Sequence, residues 1–342
     1  MEFAADIWGI WQLPSLAGLD WAAGPGGAIL LLIALALDWL IGDPRWLPHP
    51  VRLMGAATAF LDARLNRAKR GAGERIMRGL LAVLAVLALS ALAGWAVANF
   101  IGALPFGWIA ELVLVTLLVA QRGMVSHTVR VIRALKHDGV AGGRKAVAEI
   151  VGRETAELDE PGVARAAIES CAESYSDGII APIFWYLLLG LPGLMAYKAV
   201  NTMDSMIGHM TPQYRAFGMT AARLDDVLNL IPARLAGLFL VFAALFVPTA
   251  NPPGALRVML RDARFHRSVN AGWPEGAMAG ALGLALAGPR HYSGGTVNDP
   301  WIGDGSAKAT PKDINRGLYL YVVACLINAM WVAAIAMVRF SL

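Results

Sequence analysis

Three acidic side chains follow one another at helical spacing in the middle of the chain. Glu169 and Glu173 are four residues apart, so on a helix both project from one face, with about 6 Å of axial rise between them. Asp177 comes one turn later, and we expect Gly178 to end the helix there. Like charges at this spacing repel each other. The pattern therefore indicates either a cation-binding site or a solvated helix face paired with a basic neighbour such as Arg165.

A second polar stripe follows after an apolar segment. It occupies positions i, i+3, i+4 and i+7 of a helix, with Asn201, Asp204, Ser205 and Gly208. Asp204 lies between Met203 and Met206, and an ionisable group in such apolar surroundings usually has a function. Carboxylate oxygens are ligands that Mg²⁺ prefers, often together with phosphate oxygens. Both stripes therefore suit a magnesium and phosphate site.

Further polar residues stand next to apolar segments. His49 lies between two prolines, where it is either a rigid loop residue or a base. Asp43 precedes Pro44 and either caps a turn or contacts a substrate. Arginine forks bind phosphate and carboxylate groups, although the arginines here also have acidic neighbours with which they could pair. The remaining candidates are Arg52, Arg215, Arg223, Asp225, Asp226, Asn270, Glu275 and Asp304.

The composition indicates a membrane protein. Of 342 residues, 57% are hydrophobic and only 16% are charged, whereas soluble domains carry about 25% charged residues. The mean hydropathy is +0.55. Cys171 and Cys325 lie far apart in sequence, which argues against a disulfide framework or a zinc site. The net charge of +4 comes from basic blocks between apolar runs, so it gives no reason to expect nucleic acid binding.

The pattern of apolar runs predicts an all-α fold: a polytopic integral membrane helical bundle with a re-entrant or broken helical segment and cytoplasmic helical loops. We treat residues 1–342 as one domain. The expected spans are 27–41, 79–101, 104–120, 232–248 and 318–338. Breaks at Pro182 and Gly190 favour a re-entrant segment over 179–197. The Arg-rich loop 42–78 and a helical insert over 121–178 are expected in the cytoplasm, and 275–288 either crosses or re-enters.

Common nucleotide and metal motifs are missing from the sequence. It contains no Walker A pattern, no GxGxxG and no HExxH, and the six histidines show no metal-ligand spacing. Carboxylates and arginines beside apolar segments remain, and they suit a divalent metal with a phosphorylated ligand. Residue chemistry alone therefore predicts a membrane-bound enzyme or a transporter of anionic substrates.

At these residues the sequence resembles the CobD/CbiB family, the integral membrane adenosylcobinamide-phosphate synthases of cobalamin biosynthesis. The resemblance is carried in order by LDWLIGDPRWLPHPVRLMG (37–55), VGRETAELDEPGVARAAIESCAESYSDGIIAPIFWYLLLGLPG (151–193), YKAVNTMDSMIGH (197–209), YRAFGMTAARLDDVLNLIPARL (214–235), NAGWPEGAMAGALG (270–283) and WIGDG (301–305). Several of these stretches are long, so the resemblance is specific.

The resemblance implies an ATP-dependent amide bond between adenosylcobyric acid and (R)-1-amino-2-propanol or its O-phosphate. We expect Glu173, Asp177 and Asp204 to hold Mg²⁺ and the nucleotide phosphates. Asp43 and His49 are candidates for orienting or deprotonating the amine. Phosphate is assigned to Arg52, Arg215 and Arg223. The other expected substrate or phosphate contacts are Glu169, Asn201, Ser205, Asp225, Asp226, Asn270, Glu275 and Asp304.

The same resemblance implies a multi-pass protein of the bacterial inner (cytoplasmic) membrane, with its active site facing the cytoplasm. Its partners would be the corrinoid, the amine, the lipid bilayer and other late cobalamin-pathway membrane enzymes. One alternative is a transporter of a corrinoid or another anionic metabolite, because broken helices with polar groups mark such sites. Another is a non-catalytic membrane subunit that assembles neighbouring enzymes.

Overall fold

The computed structural model describes residues 26–42, 49–152, 154–292 and 295–341. These ranges are mostly helical. The helices are α1 (Gly27–Ile41), α2 (Pro50–Leu65), α3 (Ala72–Gly102), α4 (Trp108–Leu118), α5 (Gln121–Val147), α6 (Glu160–Tyr175), α7 (Ala181–Ile207), α8 (Met219–Leu228), α9 (Leu230–Ala244), α10 (Pro252–Asp262), α11 (Gly272–Leu282) and α12 (Pro311–Ser341). An antiparallel hairpin of β1 (Leu286–Tyr292) and β2 (Gly295–Ile302) is inserted before α12.

Four helical segments of the described ranges are long and apolar enough to cross a membrane: Ala72–Gly102, Trp108–Val147, Glu160–Ile207 and Pro311–Arg339. Helices α8 and α9 form a pair bent by 51° that makes a possible fifth span, and α1 is a shorter apolar helix. These lengths confirm the predicted polytopic helical bundle. The predicted spans 79–101 and 318–338 lie inside α3 and α12, whereas α4 covers only residues 108–118 of the expected 104–120.

The predicted break in the third segment is found at Gly190. This residue has φ 63° and ψ −154° inside α7, two positions before Pro192. Glycine tolerates a positive φ, and proline cannot donate the helical hydrogen bond, so the helix is interrupted here. Helix α3 packs closely against the break, because a Cβ on Gly94 would lie 2.9 Å from the Cα of Pro192. The polar stripe of α7 follows this break.

The expectation that Gly178 ends a helix is wrong. Residues Ser176–Ile180 form a π-helical turn that joins α6 directly to α7. A π turn displaces the backbone hydrogen bonds, so carbonyl groups become available to other partners. Gly178 accepts from the backbone nitrogen of Ala120 at 3.2 Å, and the carbonyl of Asp177 accepts from the Tyr197 hydroxyl at 3.1 Å. These bonds fix the turn that carries Asp177.

Helix α5 folds back on itself at Gly139. That residue has φ 65° and ψ −158°, a conformation available to glycine. A Cβ added to Gly143 would lie 2.8 Å from Cγ of Leu135, although residues eight apart in a straight helix are about 12 Å apart along the axis. The two arms, 121–138 and 140–147, therefore form a helical hairpin with glycine at the close approach.

Helices α10 and α11 are packed nearly backbone to backbone through Gly276 and Gly280. A Cβ on Gly276 would lie 3.0 Å from the Cα of Met259, and one on Gly280 would overlap the carbonyl group of Gly254. Small residues four apart allow such close contact between membrane helices. Almost every residue of α11 is buried as a result.

Gly280→Val should destabilise the protein, because its side chain would force α10 and α11 apart. Overpacking of this kind costs about 1–3 kcal/mol, so the thermal unfolding midpoint in detergent should fall clearly. Gly73→Val is the matched control, since nothing lies within 4 Å of a Cβ at that position. Equal midpoints for the two variants would contradict the close packing.

The β-hairpin was not predicted from the sequence. It contains a bulge between Ala287 and Pro289, where Ala287 and Gly288 have φ of 58° and 73°. Left-handed alanine is strained. The backbone nitrogen of Ala287 donates to Oε1 of Glu169 at 2.8 Å, so this buried carboxylate holds the bulge against α6.

Candidate functional site

The largest group of predicted site residues lines one cavity of 740 Å³. It opens among the N-terminus of α2, the α4–α5 junction, the end of α6, the π turn and the polar stripe of α7. The sequence candidates in its wall are His49, Glu173, Asp177, Asn201, Asp204 and Ser205. Two stretches about thirty residues apart therefore meet at one site, as their chemistry suggested.

The cavity is acidic because five carboxylates line it: Asp38, Glu149, Glu173, Asp177 and Asp204. Glu173 lies in the last turn of α6, Asp177 in the π turn and Asp204 on α7. The charge of Asp177 is repelled by Asp225, Glu173 and Asp204. In a partly buried setting such repulsion is stronger than in water. A cation or a phosphate-bound metal would relieve it, which is the behaviour expected of a binding site rather than of a purely structural cluster.

Lys198 supplies one positive charge behind the carboxylates. It is only 9% exposed and interacts electrostatically with Asp177 and Asp225. A buried lysine requires acidic partners because an unpaired buried charge is very unfavourable. Sequence reasoning missed this residue, although a single lysine within the apolar stretch LMAYKAV is a signal for such a pair.

Asp225 is held next to the cavity by a hydrogen-bond network. The side-chain nitrogen of Asn229 donates to its Oδ2 at 2.9 Å. The Tyr197 hydroxyl lies 3.0 Å from Oδ1 of Asn229 and also contacts the carbonyl of Asp177. Asp225 thus supports the π turn and the α7 stripe through fixed partners, with Asn201 at 3.5 Å from its Oδ1.

The carboxylate of Asp204 occupies the space next to Gly208. A Cβ on Gly208 would lie 2.8 Å from Cγ of Asp204 and would overlap Oδ1. Ser205 donates its hydroxyl to the carbonyl of Asn201 at 2.9 Å. Gly208 therefore leaves room for Asp204 at the cavity wall, while the Ser205 hydroxyl is bonded within its own helix.

His49 and Asp38 reach the cavity while they cap helices. Nδ1 of His49 accepts from the backbone nitrogen of Val51 at 3.2 Å at the start of α2. Oδ2 of Asp38 accepts from the backbone nitrogens of Gln121 (2.8 Å) and Arg122 (3.1 Å), which satisfies the first turn of α5 and favours its dipole. Asp43, the other candidate in this region, lies outside the described residues.

A polar group that the sequence did not reveal closes the cavity on the α5 side. His127 and Glu149 line the wall, and Arg130 joins them, with Nη1 at 3.0 Å from Oε2 of Glu149 and Nη2 at 2.7 Å from Nδ1 of His127. Arginine only donates, so Nδ1 is an acceptor and His127 carries its proton on Nε2. The fold-back at Gly139 brings Glu149 to the other two.

The predicted phosphate-binding arginines lie elsewhere. Arg52, Arg215 and Arg223 are all described and exposed, and none of them lines the cavity. Arg223 pairs with Asp226 at 3.6 Å on the surface of α8. Glu169, although one helical turn from Glu173, binds the β-hairpin at Ala287 instead of the cavity.

The other candidates near the end of the chain hold the fold together. Asn270 donates to the carbonyl of Asp226 at 2.8 Å and accepts from Arg234 at 2.6 Å. Glu275 is buried in α11, with Oε1 3.5 Å from Nε2 of His266. None of these groups is in the cavity wall.

Asp304 belongs to an ion-pair cluster at the end of the β-hairpin. Arg261 reaches Asp304 at 3.0 Å and Arg257 reaches it at 3.4 Å. Hydrogen bonding to the Arg261 guanidinium holds the pKa values of Asp262 and Asp304 below their usual range. Asp262 also accepts from the backbone nitrogen of Gly303 at 2.8 Å, so the cluster fastens the hairpin to α10.

The donor chemistry of the cavity suits Mg²⁺ only in company with phosphate. Within the described ranges, no three Asp, Glu, His or Cys side chains come close enough to hold an ion by themselves. Mg²⁺ usually takes one or two carboxylates and completes its six ligands with phosphate oxygens and water. Glu173, Asp177 and Asp204 around one cavity are compatible with that mode of binding.

Comparison with known proteins identifies the family. The family model described as "CobD/Cbib protein" matches residues 31–321. "Cobalamin biosynthesis protein CobD" of a Sinorhizobium species is 50% identical over 319 residues, covering 91% of this chain and 99% of the relative. Proteins with the same name from Brucella suis biovar 1 and Rhodobacter capsulatus are 48% and 46% identical over 301 residues, each covering 86% of this chain and 92% of the relative. No solved structure matches the chain. The chain belongs to the CobD/CbiB family.

Proposed function

We propose that this protein is a membrane-bound amide-forming ligase of cobalamin biosynthesis, an adenosylcobinamide-phosphate synthase. It would join (R)-1-amino-2-propanol or its O-phosphate to the free propionate carboxyl of adenosylcobyric acid, driven by ATP. The names of its relatives support the pathway. The observation that best supports this reaction class is that Glu173, Asp177 and Asp204 line one cavity.

Amide formation from a carboxylate needs an activated intermediate. The propionate oxygen would attack the γ-phosphorus of ATP, giving an acyl phosphate and ADP. The neutral amine would then attack the acyl carbon, and inorganic phosphate would leave as the amide forms. The neutral amine loses one proton in this step, so a nearby base accelerates it. The site must therefore accept protons and tolerate concentrated phosphate charge.

The chain's own residues can meet both needs. One or two of Glu173, Asp177 and Asp204 would hold Mg²⁺ together with the nucleotide phosphates, and the ion would neutralise phosphate charge. His49 lines the same wall and would receive a proton from the amine at Nδ1, giving up the hydrogen bond by which it caps α2. Lys198 would attract the Asp177 carboxylate and orient it from behind.

The size of the cavity limits how the corrinoid binds. A volume of 740 Å³ falls within the range of about 300–1,000 Å³ usual for small-molecule pockets, and a corrin ring with all its side chains is larger than a drug-sized ligand. The ring would therefore stay at the open side, with the reacting propionate directed between α6 and α7.

The cavity's position supports a cytoplasmic active site. His49 belongs to the Arg-rich stretch between α1 and α3, and such stretches usually remain in the cytoplasm. ATP is available on that side of the bacterial inner membrane. The same orientation would let the product pass to later membrane enzymes of the pathway.

Purified protein in detergent should convert adenosylcobyric acid, ATP, Mg²⁺ and amine to an amide product, identified by its mass. Aminopropanol and its O-phosphate are supplied in separate reactions, so the preferred amine is read directly. Omission of ATP should abolish the product. A transporter or an assembly subunit would give no amide in this experiment, since neither function requires chemistry in the absence of a sealed compartment.

A further inference from the structure

A second, basic groove lies between the two arms of the α5 hairpin. It is open to one side, has a volume of 410 Å³ and is formed by the arm 121–138, the arm 140–147 and the turn after it. Its charged and titratable side chains are Arg130, Arg133, His137, Asp138, Lys145 and Glu149. Three permanent cations thus face a groove only a few side chains wide.

Two of these cations are available to a ligand. Glu149 is engaged by Arg130 at 3.0 Å, whereas among the described residues no carboxylate forms an ion pair with Arg133 or Lys145 within 4.0 Å. Both side chains are exposed and stand on opposite arms. The reversal at Gly139 and the contact of Gly143 with Leu135 fix the distance between the arms. The two cations therefore stand on arms whose spacing is fixed.

The groove borders the carboxylate cavity. Glu149 belongs to the walls of both, and Arg130 connects it to His127, which also lines the cavity. A ligand with several phosphates could lie along the groove and reach the carboxylates with its terminal phosphate. Positive charge at one end and metal-binding oxygens at the other suit such a molecule.

We infer that Arg133 and Lys145 bind the phosphate chain of a nucleoside triphosphate, and that Arg130 adds to this site when Glu149 is drawn away. The inference rests on the proposed function for the identity of the nucleotide. It assigns phosphate recognition to the α5 hairpin, in place of the arginines of α2, α8 and the loop before α8.

The test measures binding of inorganic tripolyphosphate to the full-length protein in detergent with EDTA, so that neither catalysis nor Mg²⁺ is required. Arg133→Ala combined with Lys145→Ala should raise the Kd at least about 10-fold, because charge-assisted contacts to phosphate are lost. Lys136→Ala removes an exposed cation of the same helix that is outside the groove and should leave the Kd unchanged. Glu149→Gln should lower the Kd, because Arg130 is freed.

Several results would overturn the inference. Equal weakening by Lys136→Ala would show that only net charge matters, and an unchanged Kd in the double variant would remove the groove from phosphate binding. Soluble dihexanoyl phosphatidylglycerol is the lipid probe: if the double variant weakens its binding and not that of tripolyphosphate, the groove serves a lipid headgroup. Asp204→Asn should not raise the Kd for tripolyphosphate, because it removes only a negative charge, so loss of turnover in that variant tests the proposed ligase separately.

Discussion

Asp204→Asn is expected to lower kcat for ATP-dependent amide formation by about 10²–10⁴-fold, the range for loss of a catalytic proton acceptor or a charge-stabilising group. The carboxylate lies at the wall of the cavity, next to His209 and repelled by Asp226. Asparagine keeps the shape of the side chain and removes only its charge. Product formation is followed by mass spectrometry under saturating substrates.

The thermal unfolding midpoint of Asp204→Asn distinguishes a loss of catalysis from misfolding. Because Asp204 is repelled by neighbouring carboxylates, its neutralisation should leave the thermal unfolding midpoint equal or higher. Glu74→Gln is the matched control, since Glu74 is an exposed carboxylate that pairs with Arg70 and Arg78 on α3. Unchanged turnover in Asp204→Asn would exclude this residue from the reaction.

A cluster of like charges in a helical bundle is costly for stability, and the structure offsets part of that cost. Lys198 attracts Asp177 and Asp225, and Asn229 donates to Asp225. Repulsion between carboxylates remains at the cavity. Acidic groups outside the cavity have partners, such as the backbone nitrogen of Ala287 for Glu169 and Arg261 for Asp304. That contrast supports a functional role for Asp177 and Asp204.

The sequence predicted the membrane helices that expose many apolar side chains. Residues 79–101 and 318–338 are continuous apolar runs, and they lie within α3 and α12, which expose many large apolar side chains. The β-hairpin escaped prediction because its stretch contains Gly and Pro and lacks alternating apolar residues. The π turn also escaped, because a glycine after Asp177 resembles a helix end.

Helical spacing predicted the part of the site whose side chains come from one helix. The stripe of Asn201, Asp204 and Ser205 is at the cavity as a unit because one helix carries it. Spacing alone did not distinguish Glu169, which binds the β-hairpin, from Glu173, which lines the cavity. His127 and Glu149 are 22 positions apart in the sequence and meet only because α5 reverses at Gly139, a tertiary effect that periodicity does not reveal.

Gly208→Ala is expected to reduce kcat by about 100-fold without unfolding the protein, since a displacement near 1 Å at a reacting group has effects of this size. The new methyl group would overlap the Asp204 carboxylate and push it from the wall. Gly208 has φ −74° and ψ −4°, which alanine adopts readily, and the methyl group would also lie 2.6 Å from the backbone carbonyl oxygen of Asp204. Turnover and the thermal midpoint are measured together.

The decisive comparison is the double variant. If Gly208 acts only by making room for Asp204, then Gly208→Ala added to Asp204→Asn should cause little further loss of kcat, because the two changes disable the same group. Gly102→Ala is the control, since nothing lies within 4 Å of a Cβ there, and it should retain full turnover. Losses that multiply in the double variant would mean that Gly208 affects the reaction by another route, and the arrangement of the α7 stripe would then not be what positions the carboxylate.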